Sequence, residues 1–251
     1  MRFALIGDPI SHSLSPALFR AAYPESCHTY ELLETSSIEE AIRRFHSEDF
    51  DGLNVTAPFK EAVLKFTNKR DPLVDLIGAS NLILKDGKIV SAYNTDFFGV
   101  TESIKSYVSH GDKVVVLGCG GAGRAAALAA RSAGCDVTIV NRSSDKAKKF
   151  TERIGIEFNR IDMLKEKIKS CKLFINTISV HLEILDRLDY SGKIVLDANY
   201  RSPQLSFIEK RYNAKYISGK SWLLYQAVQS FQLFTAAQPN LESMQLIINN
   251  I

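Results

Sequence analysis

Short runs rich in Val, Ile, Leu and aromatic residues alternate with stretches of helical periodicity along almost the whole chain, the pattern that parallel sheets with crossover helices leave in a sequence. RFALIG (2–7) reads as a strand, after which Ser15 and Pro16 open a helix, Ser as a cap for the free amides and Pro at the first helical position. HTYELLE (28–34) reads as a second strand. Ser36 with Glu39, or Ser37 with Glu40, offers a capping box for the helix SIEEAIRRFHS, and GLNVT (52–56) reads as a third strand. The loop Ala57-Pro58 leads to another helix. Residues 79–96 read as two strands about the turn Lys85-Asp86-Gly87-Lys88, an antiparallel pair in an otherwise parallel series.

A second series starts near residue 112, with strands at KVVVLG (113–118), DVTIVN (136–141), KLFINT (172–177), KIVLDA (193–198) and AKYIS (214–218). It has the look of a mononucleotide-binding sheet. Two helical patterns follow, over about 221–237 and from Leu241, and too few residues remain after them for another sheet. They are expected to pack back on the first series. The first domain is then discontinuous, residues 1–98 and 221–251, around a central domain of residues 99–220. The expected fold class is α/β, with two α/β domains, the first sheet mostly parallel and the second Rossmann-like. Helices near 97–108 and 221–236 would connect them, a boundary suited to a cleft that opens and closes.

Composition narrows the class without naming a reaction. At 251 residues and 45% hydrophobic, the chain can bury the core of one or two domains. Its net charge of +3 is small, and Lys and Arg are interspersed with Asp and Glu, so nucleic acid is not an expected partner. The opening MRFALIGDPISHS holds one basic residue and an apolar run of four broken by Gly7 and Asp8, short for a signal peptide. No apolar segment nears the roughly 18 residues of a membrane span. Cys27, Cys119, Cys135 and Cys171 are widely spaced, with no C-x-x-C pair and no His at metal-ligand spacing beside them, and are expected to be reduced core thiols of a cytoplasmic protein.

Chemistry enters with Gly118-Cys119-Gly120-Gly121-Ala122-Gly123-Arg124, set between the strand KVVVL and the helical pattern RAAALAARSAG. Glycines there let the chain turn tightly and bring amides against a pyrophosphate at a helix amino terminus. The alternative is a structural turn. Where an NAD enzyme commonly carries an acidic residue after the next strand, the chain has Asn141-Arg142-Ser143, with Lys146 one turn later. A guanidinium, a hydroxyl and an ammonium suit a 2′-phosphate and point to NADP; the same charges also fit a solvated helix start.

A second constellation lies in the first series. Ser13, Ser15, Thr56, Lys60, Asn81, Asn94 and Asp96 all fall near strand ends or the loops leaving them, where open α/β sheets bind ligands. Hydroxyls and amides suit a small polyol acid, Lys60 can give a proton to a developing alkoxide, and a carboxylate such as Asp96 could orient its ammonium. Each also has a plainer role: Ser15 a helix cap, Asn81 and Asn94 in turns, and Lys60 on an exposed helical face.

The ordered set GDPISHSLSP, NVTAPFK, GASN, NTDFFG, GCGGAGR, NRS and SGKSWLLYQAVQSF is similar, along nearly the whole chain, to the shikimate dehydrogenase family. The resemblance implies an enzyme of chorismate and aromatic amino-acid biosynthesis that reduces 3-dehydroshikimate with NADPH. The discontinuous domain would bind the substrate, the central domain NADP, and closure would align the two. Ser13 and Ser15 would bind the substrate carboxylate with help from Tyr200, while Thr56, Asn81 and Gln226 would bind ring hydroxyls or position their neighbours. Lys60 and Asp96 would be the catalytic pair. Gly118, Gly120, Gly121, Ala122, Gly123 and Gly219 would line the cofactor, with Asn141, Arg142, Ser143 and Lys146 around the adenosine phosphate. A monomer or homodimer without nucleic acid or membrane partners is implied. Two other readings fit the same residues, a quinate/shikimate dehydrogenase of broader substrate or cofactor choice, and a non-catalytic binder of NADP or a metabolite.

The chain departs from the family pattern in three places. ISVHLEI follows Thr177 where relatives usually carry Pro or Gly and then Gly-Met. Trp222 stands where Met is common, to pack either on the nicotinamide or in a domain interface. Lys146 replaces an Arg and loses planar bidentate contact. His12 has no catalytic role in the family pattern, and His181 has no partner legible in the sequence.

Overall fold

Both predicted series fold as sheets in the computed structural model, which describes residues 1–250. The chain divides into two compact units, one formed by residues 1–95 with the chain from 226 onward, the other by residues 96–225.

The first unit contains β1 (Arg2–Gly7), α1 (Ser15–Ala22), β2 (Thr29–Glu34), α2 (Ile38–Ser47), β3 (Gly52–Val55), β4 (Lys69–Arg70), α3 (Pro72–Ile77), β5 (Leu82–Asp86) and β6 (Ile89–Tyr93). Its sheet order is β2-β1-β3-β5-β6-β4, with β5 antiparallel to both neighbours. β1 lies between two parallel partners and is buried along almost its whole length, which is why it reads as an unbroken apolar run. In α2 the buried residues Ile38, Ala41, Ile42 and Phe45 share one face. Of the two capping boxes, Ser37 forms the cap, its Oγ accepting from the amide of Glu40 at 3.2 Å. The reciprocal half is missing because the Glu40 carboxylate is engaged by Arg43.

Two local expectations are corrected. Ser15 is the first residue of α1 and does not cap it; instead its amide donates to Ser13 Oγ at 3.2 Å. The segment after Ala57-Pro58 makes only a short 3₁₀ turn at Ala62–Phe66, and Lys60 lies in the turn before it, half-buried rather than on an exposed helical face.

The second unit follows with α4 (Asp96–Ile104), β7 (Lys113–Leu117), α5 (Gly121–Ser132), β8 (Asp136–Asn141), α6 (Asp145–Ile154), β9 (Glu157–Arg160), α7 (Leu164–Ser170), β10 (Leu173–Asn176), α8 (Glu183–Asp186), β11 (Ile194–Asp197), α9 (Ile208–Arg211) and β12 (Lys215–Ser218). The strands are all parallel in the order β12-β11-β10-β7-β8-β9. This is the doubly wound arrangement, in which the strand order reverses between β7 and β10. Helix α10 (Gly219–Thr235) starts in the second unit and ends in the first, where Phe234 stacks on Phe3 at 4.4 Å and Phe231 meets Phe19 edge-on. The last helix, α11 (Leu241–Asn249), is capped by Asn240, whose amide donates to the carbonyl of Ala22 at the end of α1.

At the end of β11, the carboxylate of Asp197 is inaccessible to solvent and collects five donors: Asn176 Nδ2, Asn199 N and Asn199 Nδ2 on Oδ1, and the amides of Gln204 and Leu205 on Oδ2. Asp197→Ala would strand these donors in a dry interior, so a loss of roughly 2–3 kcal/mol is expected in urea unfolding. Unchanged stability would show that water replaces the carboxylate there.

Candidate functional site

In the first unit, strand register gathers the polar loops at one end of the sheet. β1, β3 and β6 finish at this end and the reversed β5 starts there: Ile6 pairs with Val55, Asn54 with Leu82, and Leu82 with Tyr93. The loops that carry Ser13, Ser15, Thr56, Lys60 and Asn81 all leave from it. Ser13 Oγ donates to Ser15 Oγ at 3.1 Å. The Thr56 amide donates to Ile6 O at 2.9 Å, and Lys60 O accepts from the Ser80 amide at 2.8 Å. The lysine turn is thereby fixed to the loop bearing Asn81.

Asn81 lies at the centre of a buried polar network. Its Oδ1 accepts from the Thr95 amide at 2.7 Å, and its Nδ2 donates to Thr95 Oγ1 at 3.0 Å and to Gln226 Oε1 at 3.1 Å. Thr95 Oγ1 meets Ser230 Oγ at 2.8 Å, one helical turn beyond Gln226. Asn54 Nδ2 donates to Ser230 Oγ and to Asn81 O, while its Oδ1 accepts from the Tyr30 hydroxyl at 2.8 Å. Burial pushes the Tyr30 phenol well above its usual range, against the opposing effect of a hydrogen bond with Ser15, so it remains a neutral donor. The structure thus brings Asn81 and Gln226 together directly and links Ser15 to them through Tyr30 and Asn54. Sequence reasoning missed Tyr30, Asn54, Thr95 and Ser230. Asn54 carried a signal, since Asn is disfavoured in a strand, and Ser230 carried another, four residues after Gln226 on the same helix. Asn94 serves its turn, donating to Ala79 O at 2.9 Å.

In the second unit, three of the four glycines of the strand-to-helix loop are needed for three different reasons. Gly118 has φ of 104°, a left-handed conformation that side chains rarely adopt, and a Cβ there would lie 2.5 Å from Thr177 Oγ1. Gly123 abuts the carbonyl of Gly118, so that α5 packs directly on the loop. At Gly120 a Cβ would meet nothing within 4 Å. That position opens into space at the amino terminus of α5, a helix of 12 residues with no side-chain cap. Thr177 Oγ1 donates to Leu117 O at 2.8 Å, so the ends of β7 and β10 face each other at the point where strand order reverses. Here open sheets take a dinucleotide, with its pyrophosphate on the helix amino terminus. The residues fit the group: Gly120 supplies the clearance that a phosphate needs, and Gly121, Ala122 and Gly123 supply the first amides of α5.

Beyond β8, Asn141 Nδ2 donates to Ser143 O at 2.9 Å and shapes the turn that exposes Arg142, Ser143 and Lys146. Gly219 opens α10 beside β11, where a Cβ would lie 2.5 Å from Ala198 O; Tyr200 follows in the next loop, its amide bonded to the same carbonyl. Tyr200 belongs to the second unit, whereas Ser13 and Ser15 belong to the first.

Two further expectations change, those for His181 and for the cysteines. His181 does have a partner, Asp186 at 2.9 Å, in an exposed pair remote in character from a catalytic site. The carbonyl of Ile178, in the atypical segment after Thr177, accepts from Asn199 Nδ2 and Gln204 Nε2, which closes this segment onto the β11 loop. Only two of the four free cysteines, Cys135 and Cys171, are core thiols; Cys27 is exposed and Cys119 half-buried. Burial raises the Cys171 thiol to about 11. Among the described residues, no helix is long and apolar enough to cross a membrane, and no three His, Cys, Asp or Glu side chains gather as metal ligands.

A doubly wound parallel sheet carrying a glycine phosphate loop, joined in one chain to a mixed α/β unit with a polar strand-end cluster, defines a two-unit dinucleotide-binding α/β protein. Residues 5–83 match the shikimate dehydrogenase substrate binding domain, and residues 101–195 match shikimate / quinate 5-dehydrogenase. The chain is 36% identical to shikimate dehydrogenase (NADP(+)) of Ignicoccus hospitalis over 95% of both chains. Among solved structures, it resembles shikimate dehydrogenase of Aquifex aeolicus, with TM-score 0.89, 28% identity and coverage of 99% and 97% of the two chains. It also resembles the Thermus thermophilus enzyme in complex with NADP(H) and shikimate, with TM-score 0.86, 29% identity and coverage of 100% and 99%. The chain belongs to the shikimate dehydrogenase family.

Proposed function

We propose that this protein catalyses the reversible, NADPH-dependent reduction of the ketone of 3-dehydroshikimate to shikimate, a step toward chorismate and the aromatic amino acids. The observation that carries the reading is the glycine cradle, clear at Gly120 and tight at Gly123, in a chain that matches a shikimate dehydrogenase over 95% of its length. The discontinuous unit is the substrate domain and the central unit the NADP domain. Ser13 and Ser15 hold the substrate carboxylate, with Tyr200 as a further donor, and Thr56, Asn81 and Gln226 hold ring hydroxyls. The network around Asn81 keeps these amides in one rotamer, so that binding does not have to order them. When bound, NADPH supplies the hydride. Lys60 gives the proton to the ketone oxygen as it becomes an alkoxide, and Asp96 is assigned as the carboxylate that orients the Lys60 ammonium. The family pattern supports both assignments. A cytoplasmic location and a monomeric or homodimeric state belong to the proposal as the sequence implies them.

Initial rates of NADP⁺ and NAD⁺ reduction with shikimate and with quinate test the reading. Rapid turnover confined to shikimate and NADP⁺ supports it. Comparable rates with quinate or NAD⁺ move the protein to a broader dehydrogenase, and no turnover with any pair makes it a binding protein.

The Arg142 side chain is exposed beyond β8, so its charge is available to a 2′-phosphate. Arg142→Ala is expected to weaken NADP⁺ binding by about tenfold, the loss of one charge-assisted contact, and to leave NAD⁺ binding unchanged. Calorimetric titration of both nucleotides checks this, and an equal loss for the two would remove Arg142 from the phosphate pocket.

A further inference from the structure

We propose that Trp222 is a positioning residue for Asp96. Both side chains are buried, Trp222 at 4% and Asp96 at 2% exposure. The indole Nε1 donates to Asp96 Oδ1 at 3.2 Å, across 126 residues of sequence. Asp96 is the first residue of α4 and Trp222 the fourth of α10, so the contact links the starts of two helices.

The chemistry of the pair is specific. Indole Nε1–H is a donor only, and in a dry interior it must find an acceptor; an ionised carboxylate is the strongest one available. A planar ring locked by burial has few rotamers, and it constrains the carboxylate plane as well as one oxygen. Thr95, immediately before Asp96, is held from the backbone side by the Asn81 carboxamide at 2.7 Å. Asp96 is therefore fixed at both ends, its main chain through Thr95 and its carboxylate through Trp222. A carboxylate accepts several hydrogen bonds, so the indole leaves acceptor capacity for an ammonium and sets the direction in which it is offered. Trp222 acts through Asp96 and transfers no proton itself. Neither reading that the sequence offered for Trp222 included this role.

The inference rests on the reading of Asp96 as the partner of the proton donor, and the test separates the two. The chain has one tryptophan, so ¹⁵N-labelled protein gives a single indole N–H resonance. In Asp96→Ala this resonance is expected to move upfield and exchange faster with water. An unchanged resonance overturns the contact, whatever the activity. Trp222→Phe keeps a ring and removes the donor. It is expected to lower kcat by about tenfold to a hundredfold, the cost of a misplaced catalytic group, with KM for shikimate and Kd for NADP⁺ within about twofold. Trp222→His, which restores an N–H, should recover part of kcat. A change confined to KM or to Kd, no loss of kcat, or no recovery in Trp222→His together with an equal fall in thermal stability in both variants, would make Trp222 a packing residue and overturn the role. Wild-type kcat in Asp96→Ala would overturn the reading of Asp96 and the role of Trp222 with it, while a shifted resonance would leave the contact standing.

Discussion

Lys60→Met is expected to lower kcat for shikimate oxidation by about a thousandfold while leaving NADP⁺ affinity within about twofold, the range for removal of a positioned general acid–base group. The argument is local. Lys60 lies in a half-buried turn whose carbonyl is fixed by the Ser80 amide, so its main chain has a defined place beside the loop of Asn81. Lys60→Arg divides proton transfer from charge. A guanidinium keeps the positive charge, yet it holds its proton at any pH the enzyme meets, so it can neither donate to an alkoxide nor accept from a hydroxyl. It should therefore rescue substrate binding and fail to rescue turnover. Absorbance of the reduced nicotinamide gives the rates, and calorimetry the nucleotide affinity. Near-wild-type turnover in Lys60→Arg would show that charge alone is needed, and in Lys60→Met that the proton comes from elsewhere.

The second large effect is a contrast between neighbours. A Cβ on Gly123 would lie 2.7 Å from the carbonyl carbon of Gly118, main chain that cannot swing aside, and 2.9 Å from Thr177 Oγ1. Gly123→Ala should therefore lift α5 off the loop, costing about 1–3 kcal/mol, a fall in Tm on the order of 5 °C. Displacing the amides at the start of α5 should also weaken NADP⁺ binding by about a hundredfold, since that anion site depends on their convergence. Gly120→Ala meets nothing within 4 Å in the protein itself. It should keep its Tm and still bind NADP⁺ about tenfold more weakly, because the added methyl occupies the space a pyrophosphate needs. Thermal melts with and without NADP⁺ read both outcomes. Wild-type affinity in Gly120→Ala would mean that the phosphates pass elsewhere.

Much of this was legible in the sequence because the signals were local. Central parallel strands such as β1, β7 and β10 are buried on both faces and leave uninterrupted apolar runs, and the turn at Gly87 announces the β5–β6 pair. Elements that depend on neighbours left weaker marks. The edge strand β9 reads Glu-Phe-Asn-Arg, with no apolar run, and β4 is only two residues long. Capping by Ser15 was a reasonable inference from composition, but Ser13 Oγ takes its amide instead, a choice made by loop geometry. The site divides in the same way. Glycines and catalytic side chains stand in motifs, whereas Tyr30, Asn54, Thr95 and Ser230 matter only because the fold brings together residues as far apart in sequence as 54 and 230. The partner of Trp222 was invisible for the same reason.

The β5–β6 hairpin, finally, offers a practical use. Asn81 and Thr95 stand at its two feet, whereas its tip, closed by the pairs Lys85–Val90 and Asp86–Ile89, lies five residues from Asn81 and six from Thr95, at least about 16 Å away at ~3.3 Å per residue. Gly87 at that tip has φ of 58° and open space around it. Because the chain leaves and re-enters the same sheet end, an affinity peptide or a dye inserted at the tip lengthens only the excursion and moves neither foot. The molecule thus carries a built-in attachment point for immobilisation or labelling, remote from the residues that would contact a ligand.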